Sequence, residues 1–216
     1  MTLKELFAAS PLYAILDTEA CAERPPLEVV EALWRGGVRV IQYRHKGSFD
    51  RWRWEQCCQL AARMRKLGGG FFVNDRADIA KLCGAHGVHL GQDDLPPEKA
   101  RTFLGNAFWI GYSTHNLEQA EHALRQPIDY VAVGPVFPTA TKLNPDPVVG
   151  LELVSKVRTL TDKPLVAIGG ITIENARSVI EAGADAVAVI RDLLGTADVE
   201  ARAREFLKAL GPGKQQ

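Results

Sequence analysis

Eight short apolar runs recur along the chain, and each is followed by a stretch with the spacing of an amphipathic helix. The runs are rich in Val, Ile and Ala and lie at residues 13–17, 38–44, 71–75, 87–91, 109–113, 130–137, 165–171 and 186–190. The helical stretches lie at residues 27–36, 51–67, 76–84, 96–104, 116–125, 148–160, 173–182 and 197–210. Apolar runs without polar alternation are typical of parallel strands that are covered by helices. The pattern therefore predicts an α/β fold, with eight units closing into a single-domain (β/α)8 TIM barrel.

A doubly wound open sheet is the competing architecture. Such a sheet usually carries a Gly-rich dinucleotide-binding turn after its first strand, and the segment YAILDTEACAE at residues 13–23 has no such turn. The chain has 216 residues, which fits one large domain. We expect residues 1–211 to form a single catalytic domain and residues 212–216 to form a flexible C-terminal tail.

The composition excludes several kinds of partner. Lys and Arg number 26, Asp and Glu also number 26, and no basic run is present, so the chain lacks the charge pattern of a nucleic-acid or anionic-membrane binder. No apolar run approaches the roughly 18 residues of a membrane span, and the first residues do not resemble an export signal. The four cysteines have no metal-binding spacing, which favours reduced thiols. These features predict a cytoplasmic protein that binds neither nucleic acid nor membrane.

Chemistry in a (β/α)8 barrel takes place at the carboxyl ends of the strands, and here those ends are unusually polar. The second to fifth runs end in Gln42, Arg44 and Lys46; Asn74 and Asp75; Gln92, Asp93 and Asp94; and Ser113. Strand ends also become polar simply because they emerge into water, where Asn and Asp favour turns and helix caps. Taken together, cations, carboxylates and hydroxyls on one rim predict a site for a multiply charged anion and a metal.

Two of these carboxylates can share one metal ion. Asp75 and Asp94 end adjacent strands, and Mg²⁺ typically takes one or two protein carboxylates together with phosphate oxygens and water. An N-cap of the following helix is an equally good interpretation of Asp75 alone. Arg44 offers a planar fork to phosphate oxygens and Lys46 a point charge. His45 falls on the other face of the strand, and its side chain is predicted to be structural.

A second candidate anion site lies near the seventh and eighth runs. Gly169 and Gly170 in AIGGIT let backbone N–H groups approach a phosphate, although a tight strand-to-helix turn would also use them. Arg191 after the eighth run also suits a phosphate. The proline-rich loop at residues 134–150 lies between the two candidate sites.

Six motifs then occur in order and at barrel spacing: QYRHK (42–46), ND (74–75), HLGQDD (89–94), GYSTH (111–115), GPVFPTATK (134–142) and VAIGGIT (166–172). Over nearly the whole chain, this series resembles that of the thiamine phosphate synthase family. The resemblance implies a transferase of thiamine biosynthesis that uses Mg²⁺. Its two small phosphorylated substrates would be 4-amino-2-methyl-5-hydroxymethylpyrimidine diphosphate and hydroxyethylthiazole phosphate. The products would be thiamine phosphate and pyrophosphate, formed by a dissociative substitution.

The resemblance also implies a role for each matched residue. The pyrimidine diphosphate would be bound by Gln42, Tyr43, Arg44, His45, Lys46, Asn74, Ser113 and Lys142. Of these, Arg44, Lys46, Ser113 and Lys142 would act in catalysis by stabilising the leaving pyrophosphate. The metal ligands would be Asp75 and Asp94. The thiazole phosphate would be held by Thr139, Ala140, Thr141, Gly170, Ile190 and Arg191. Many family members have Ile-Ser where this chain has Ile190-Arg191, so a side-chain contact from Arg191 stays open.

Three other functions compete with this interpretation. A thiazole tautomerase with a related barrel would need a proton-shuttling His and has little use for the complete set Arg44, Lys46, Asn74, Asp75 and Asp94. A phosphosugar isomerase or epimerase would place a Glu, Asp or His base at a strand end. A phosphate sensor would retain the fold without turnover.

Some residues are predicted to serve packing rather than chemistry. His89 lies inside the fourth run and is predicted to be a hydrogen-bonded core histidine, and Cys57, Cys58 and Cys83 lie on helices. The Trp and Cys content of the 51–67 helix suits either a core or a homodimer interface, and the sequence leaves the two open.

Overall fold

Eight parallel strands form a closed barrel in which the strands follow one another in chain order. The computed structural model describes residues 2–21, 24–139 and 146–211. The strands are β1 (Leu12–Asp17), β2 (Val40–Arg44), β3 (Gly70–Asn74), β4 (Gly87–Leu90), β5 (Trp109–Thr114), β6 (Tyr130–Val133), β7 (Leu165–Ile168) and β8 (Ala186–Val189). Strand β1 pairs with both β2 and β8, so the sheet has no free edge. The predicted (β/α)8 barrel is confirmed.

Helices surround the barrel in the predicted alternation. In the described ranges they are α1 (Leu3–Ala9), α2 (Pro26–Arg35), α3 (Arg51–Leu67), α4 (Ala77–Cys83), α5 (Pro97–Leu104), α6 (Leu117–Leu124), α7 (Gly150–Leu160), α8 (Ala176–Glu181), α9 (Arg191–Leu194) and α10 (Val199–Leu210). The predicted helices correspond to α2–α8 and α10, and their ends differ by a few residues because turn and cap residues continue the helical spacing in sequence. No helix in the part of the chain that the structure describes is both long and apolar enough to cross a membrane.

The short helix α1, which the sequence analysis missed, closes the amino-terminal mouth of the barrel. It begins with a capping box, in which Thr2 accepts from the Glu5 N–H and Glu5 accepts from the Thr2 N–H. Its apolar face places Leu6 and Phe7 against the barrel interior. Because this mouth is plugged, the carboxyl ends of the strands are where a ligand can enter.

The core has two layers, because alternate strand residues point to opposite faces of the sheet. Along β1, Tyr13 and Ile15 belong to the cluster inside the barrel. Ala14 and Leu16 belong to the cluster between barrel and helices. All six residues of this strand are buried. Burial on both faces explains why the strands appear in sequence as continuous apolar runs.

Candidate active site

A cavity of about 920 Å³ opens at the carboxyl ends of the strands and continues into the barrel. Its lining includes most of the described residues that were predicted for the site: Gln42, Arg44, Lys46, Asn74, Asp75, Asp94, Ser113, Thr139, Gly170, Ile190 and Arg191. The lining also includes Tyr13, His89 and Tyr130, which the sequence analysis did not assign to the site. Residues from seven strand ends, β2 to β8, therefore meet around one space large enough for two small substrates.

Two of the predicted residues that the structure describes, Tyr43 and His45, do not line this cavity. Ala140, Thr141 and Lys142 lie outside the described residues. The Tyr43 hydroxyl donates to Gln56 Oε1 at 2.8 Å, on the helix side of β2. His45 Nδ1 lies 2.8 Å from the Thr18 hydroxyl, and its Nε2 lies 3.2 Å from the Ser48 carbonyl oxygen. A substrate contact from Tyr43 or His45 would therefore involve the backbone.

Arg44 is held in place by Asp17, a residue that the sequence analysis missed. The two side chains form an ion pair, and Asp17 is only 4% exposed. The other Asp17 oxygen accepts from the N–H groups of Glu19 and Ala20, both at 3.0 Å. The only sequence signal was the position of Asp17 as the last residue of the first strand. The aspartate fixes the guanidinium at the rim of the cavity, where its remaining N–H groups can meet an anion.

Lys46 and two aspartates form a second charged group on the same rim. Lys46 Nζ donates to Asp75 Oδ2 at 2.6 Å. Asp94 Oδ2 accepts from the Gly91 N–H at 2.7 Å. The pKa of Asp94 is raised, chiefly by burial and further by the neighbouring Asp75 carboxyl, while the Gly91 N–H acts in the opposite direction. The two carboxyl groups therefore share one small volume.

Asp75 does not cap the following helix. The N-cap of α4 is Arg76, which makes no side-chain capping bond. Asp75 itself has a φ of 63°, in the left-handed region that Asp and Asn tolerate better than most residues. Its N–H donates to the His89 carbonyl at 2.8 Å, which ties the turn to β4. This backbone turns the carboxylate toward Lys46 and the cavity.

The paired carboxyl groups fit a hard divalent cation. Two adjacent carboxylates repel each other, and a cation between them removes that cost. Among residues 2–21, 24–139 and 146–211, no group of three or more His, Cys, Asp or Glu side chains could hold a metal by itself. A cation held by Asp75 and Asp94 would need further oxygen ligands from a phosphate and water, which is the coordination that Mg²⁺ favours.

Asn74 carries an unused hydrogen-bond donor in the cavity wall. Its side chain is buried, with 7% exposure, and its Nδ2 has no hydrogen-bond partner among the described residues. An unmatched buried donor costs about 1–3 kcal/mol. Because Asn74 lines the cavity, a ligand acceptor could remove that cost.

The glycine turn after β7 allows the start of the β6–α7 loop to pack closely. Gly169 and Gly170 have φ values of 102° and 63°. A Cβ on Gly170 would lie 2.4 Å from the Pro138 carbonyl oxygen, and a Cβ on Gly169 would lie 2.5 Å from Pro135 Cα. Only glycine fits both the backbone angles and these contacts. The turn therefore holds the described start of the loop, up to Thr139, against the cavity.

Asp192 does not oppose an anion at the neighbouring rim. Its Oδ2 accepts from the Ile173 N–H at 2.9 Å, and its Oδ1 accepts from Arg202 at 2.6 Å. The carboxylate thus clamps the β7–α8 loop to α10 and is neutralised by Arg202. Arg191, its exposed neighbour, lines the cavity.

We expect Gly170→Ala to weaken thiazole phosphate binding at least tenfold, because the new methyl group would push the turn away from Pro138. The left-handed backbone adds about 1–2 kcal/mol of strain. Steady-state KM values for both substrates check this result. Gly68→Ala is the matched control, since Gly68 has a φ of 80° but nothing within 4 Å of a new Cβ. It should lose stability alone, and an equal KM change in both variants would contradict the expectation.

A closed (β/α)8 barrel with a charged, ligand-sized cavity at the carboxyl ends of its strands belongs to the class of barrel enzymes that act on anionic substrates. Residues 12–193 match the family model described as thiamine monophosphate synthase. The chain belongs to this family, and the resemblance carried by the sequence motifs is confirmed.

Individual relatives agree with this assignment. Thiamine-phosphate synthase from Koribacter versatilis is 48% identical over 209 residues, which cover 92% of this chain and 95% of the relative. The enzyme of the same name from Caldicellulosiruptor saccharolyticus is 37% identical and covers 94% of this chain and 91% of its own length. The solved structure of thiamine phosphate pyrophosphorylase from Pyrococcus furiosus superposes with a TM-score of 0.85 at 34% identity, covering 95% of this chain and 97% of that one.

Proposed function

We propose that this protein couples 4-amino-2-methyl-5-hydroxymethylpyrimidine diphosphate with hydroxyethylthiazole phosphate and releases pyrophosphate. As a member of the thiamine monophosphate synthase family, the chain is a transferase of thiamine biosynthesis. The observation that carries the proposed residue roles is the composition of one cavity. Arg44, Lys46, Asp75 and Asp94 lie on one side, and the glycine turn ending at Gly170 lies on the other.

The pyrimidine diphosphate is assigned to the side of the cavity formed by β2, β3 and β4. Asn74 Nδ2, which has no partner in the described part of the chain, is a donor for an acceptor atom of this substrate. Arg44 binds the diphosphate through the planar guanidinium that Asp17 holds in place. Lys46 binds it as a point charge, and its ammonium group leaves Asp75 to contact a phosphate oxygen. Lys142 from the adjoining loop is assigned to the same diphosphate on the motif alone.

The proposed cofactor is Mg²⁺, held by Asp75 and Asp94. When bound, it neutralises charge on the diphosphate as the pyrophosphate departs. The raised pKa of Asp94 and its contact with Asp75 support this assignment, because a divalent cation resolves the repulsion between the two groups.

The bond changes need no strong base. The C–O bond between the pyrimidine methylene and the diphosphate breaks, and its electron pair leaves with pyrophosphate. The thiazole nitrogen then donates its lone pair to the methylene carbon, so no proton is gained or lost. The protein must stabilise the leaving pyrophosphate, and Arg44, Lys46 and Ser113 carry this role. Loss of one such preorganised contact typically raises the barrier by about 3–4 kcal/mol.

The thiazole phosphate is assigned to the opposite side of the cavity. Thr139, Gly170, Ile190 and Arg191 all line that side. Ala140 and Thr141 continue the same motif and are assigned with them. The clamp between Asp192 and Arg202 supports this assignment, because it removes an uncompensated negative charge from the phosphate side.

The charged and amide residues of the cavity support the synthase function over the tautomerase alternative. An isomerase without a diphosphate substrate has little use for five such residues together. All five line the cavity: Arg44, Lys46, Asn74, Asp75 and Asp94.

Location and assembly are also proposals. We infer a cytoplasmic protein with small-molecule partners, as the thiol and charge patterns indicate. The helix α3 has a buried side, which includes Cys57, and an exposed apolar residue, Trp52 at 56% exposure. The exposed side is available for a homodimer interface, so a homodimer is the alternative to a monomer. Sedimentation analysis distinguishes the two states.

The proposed function is tested by incubating purified protein with both substrates and excess Mg²⁺. We expect equal amounts of thiamine phosphate and pyrophosphate. Omission of either substrate should abolish both products, and removal of the metal with EDTA should reduce the rate at least 100-fold. Coupling at the full rate without a divalent cation would overturn the metal assignment. No coupling under any condition would overturn the proposed function.

A further inference from the structure

Five polar side chains form an unbroken hydrogen-bonded chain across the interior of the barrel. Gln42 Nε2 donates to the Tyr13 hydroxyl at 3.0 Å, and the Tyr13 and Tyr130 hydroxyls lie 3.1 Å apart. Tyr130 reaches His89 Nδ1 at 2.7 Å, and His89 Nε2 reaches the Ser113 hydroxyl at 2.8 Å. The chain begins and ends at residues assigned to the pyrimidine diphosphate, and its three middle members have no role in that assignment.

One arrangement of donors gives every hydroxyl hydrogen in this chain of side chains an acceptor. Gln42 donates to Tyr13, whose own hydrogen then has the Tyr130 oxygen as its acceptor. Tyr130 accepts that proton and donates its own to His89 Nδ1. Neutral His89 then carries its proton on Nε2 and donates to Ser113. The Ser113 hydroxyl accepts from His89, so its own hydrogen is left to point into the cavity.

The surroundings hold this chain in one arrangement. A Cβ on Gly111 would lie 2.4 Å from the Tyr130 hydroxyl oxygen, so the glycine on β5 makes the space that this hydroxyl occupies. The His89 and Tyr130 rings stack with centroids 5.6 Å apart. Burial raises the pKa of both Tyr13 and Tyr130, which keeps their hydroxyls protonated. The tyrosines therefore act as fixed dipoles and not as acids.

We propose that Tyr13, Tyr130 and His89 are positioning residues that hold His89 as the Nε2–H tautomer and so direct the Ser113 hydrogen to the leaving diphosphate. The five hydrogen-bonded side chains are called the relay below. The proposal deepens the proposed function and rests on it in one respect, because the proposed function identifies the anion that Ser113 contacts. The tautomer itself is a property of the free protein. No net proton moves along the relay, since that would leave a phenolate on a buried tyrosine.

The first test measures the tautomer directly. In protein labelled with ¹⁵N at histidine, the two ring nitrogens have different chemical shifts according to which one carries the proton. We expect Nε2–H for His89, with its signals identified by their loss in His89→Gln. Tyr130→Phe removes the donor to Nδ1 and should move His89 toward the Nδ1–H form. An Nδ1–H tautomer in the parent protein, or an unchanged His89 in Tyr130→Phe, would overturn the proposal.

The second test asks whether Tyr130 acts through Ser113. Tyr130→Phe should lower kcat about tenfold with little change in KM, because the hydroxyl hydrogen is needed as charge leaves with pyrophosphate. In a Ser113→Ala background the same substitution should have almost no further effect, since the group that it positions is gone. Equal effects in both backgrounds would contradict a positioning role.

Two further variants separate positioning from a general loss of packing. His89→Gln can place an amide N–H near the Nε2 position and should retain more activity than His89→Leu. His86→Gln is the control at the far end of β4, where His86 Nδ1 accepts from the Phe71 N–H at 3.2 Å, and it should leave kcat unchanged.

A protein without coupling activity would refute the proposed function while the tautomer measurement still decides the relay. An active enzyme with no difference between His89→Gln and His89→Leu would refute the relay alone.

Discussion

Asp75→Asn is expected to lower kcat by about 100-fold or more while the protein stays folded. The substitution removes one negative charge from the proposed cation site and changes little volume. Asn tolerates the left-handed backbone, where Asp75 has a φ of 63°. The lost ion pair with Lys46 is partly exposed, with side-chain exposures of 48% and 23%, so the stability cost should stay below about 1 kcal/mol.

The measurement for Asp75 is the rate of pyrophosphate release as a function of Mg²⁺ concentration. The substitution should also raise the Mg²⁺ concentration needed for half-maximal rate. Asp78→Asn is a matched control, because Asp78 pairs with Arg76 on the surface of α4 and does not line the cavity. It should behave as the parent does. Parental turnover in Asp75→Asn at saturating Mg²⁺ would leave Asp75 as a turn residue without a metal role.

Asp17→Asn is expected to combine a loss of stability with a loss of catalysis. Asp17 is buried, and its ion pair with Arg44 is also largely covered, with side-chain exposures of 5% and 15%. Removing one partner of such a pair costs about 3 kcal/mol or more, because the other charge is left without compensation. For a chain of this size, that cost corresponds to a fall in Tm of about 6–12 °C. The freed guanidinium also loses its fixed direction, so kcat should fall about tenfold or more.

Thermal unfolding with and without pyrophosphate and Mg²⁺ checks this expectation. The added anion replaces the lost partner of Arg44, so it should raise the Tm of Asp17→Asn more than that of the parent. Glu31→Gln is the control, since Glu31 pairs with Arg63 between two helices at side-chain exposures of 29% and 31%. Its effect should be below about 1 kcal/mol. Equal Tm shifts in Asp17→Asn and Glu31→Gln would show that Asp17 has no special role.

Much of the fold could be predicted because the barrel repeats one local pattern. Strands such as β1, buried along its whole length, differ clearly in sequence from the half-polar helices that follow them. The short helices α1 and α9 were missed because neither fits the alternation of one strand with one helix. Leu3–Ala9 precedes the first strand, and Arg191–Leu194 is about one turn inserted between β8 and α10.

The candidate site could be predicted only in part. Arg44, Lys46, Asp75 and Asp94 were found because the fold class itself identifies the strand ends as the place of chemistry. Asp17 was missed because a lone aspartate at a strand end is common as a turn residue. The prediction of His89 as a hydrogen-bonded histidine agrees with its contacts, but its ring lies in the cavity wall and not in a closed core.

The sequence by itself determined the number and order of the strands, the charged rim and the family. These features depend on residue types at local spacing, which is present in the sequence. The tertiary structure decided which side chains meet across the barrel. Tyr13 and Tyr130 are 117 positions apart, yet their hydroxyls lie 3.1 Å from each other. Such contacts depend on barrel closure and on the register between strands, and no local pattern encodes either of them.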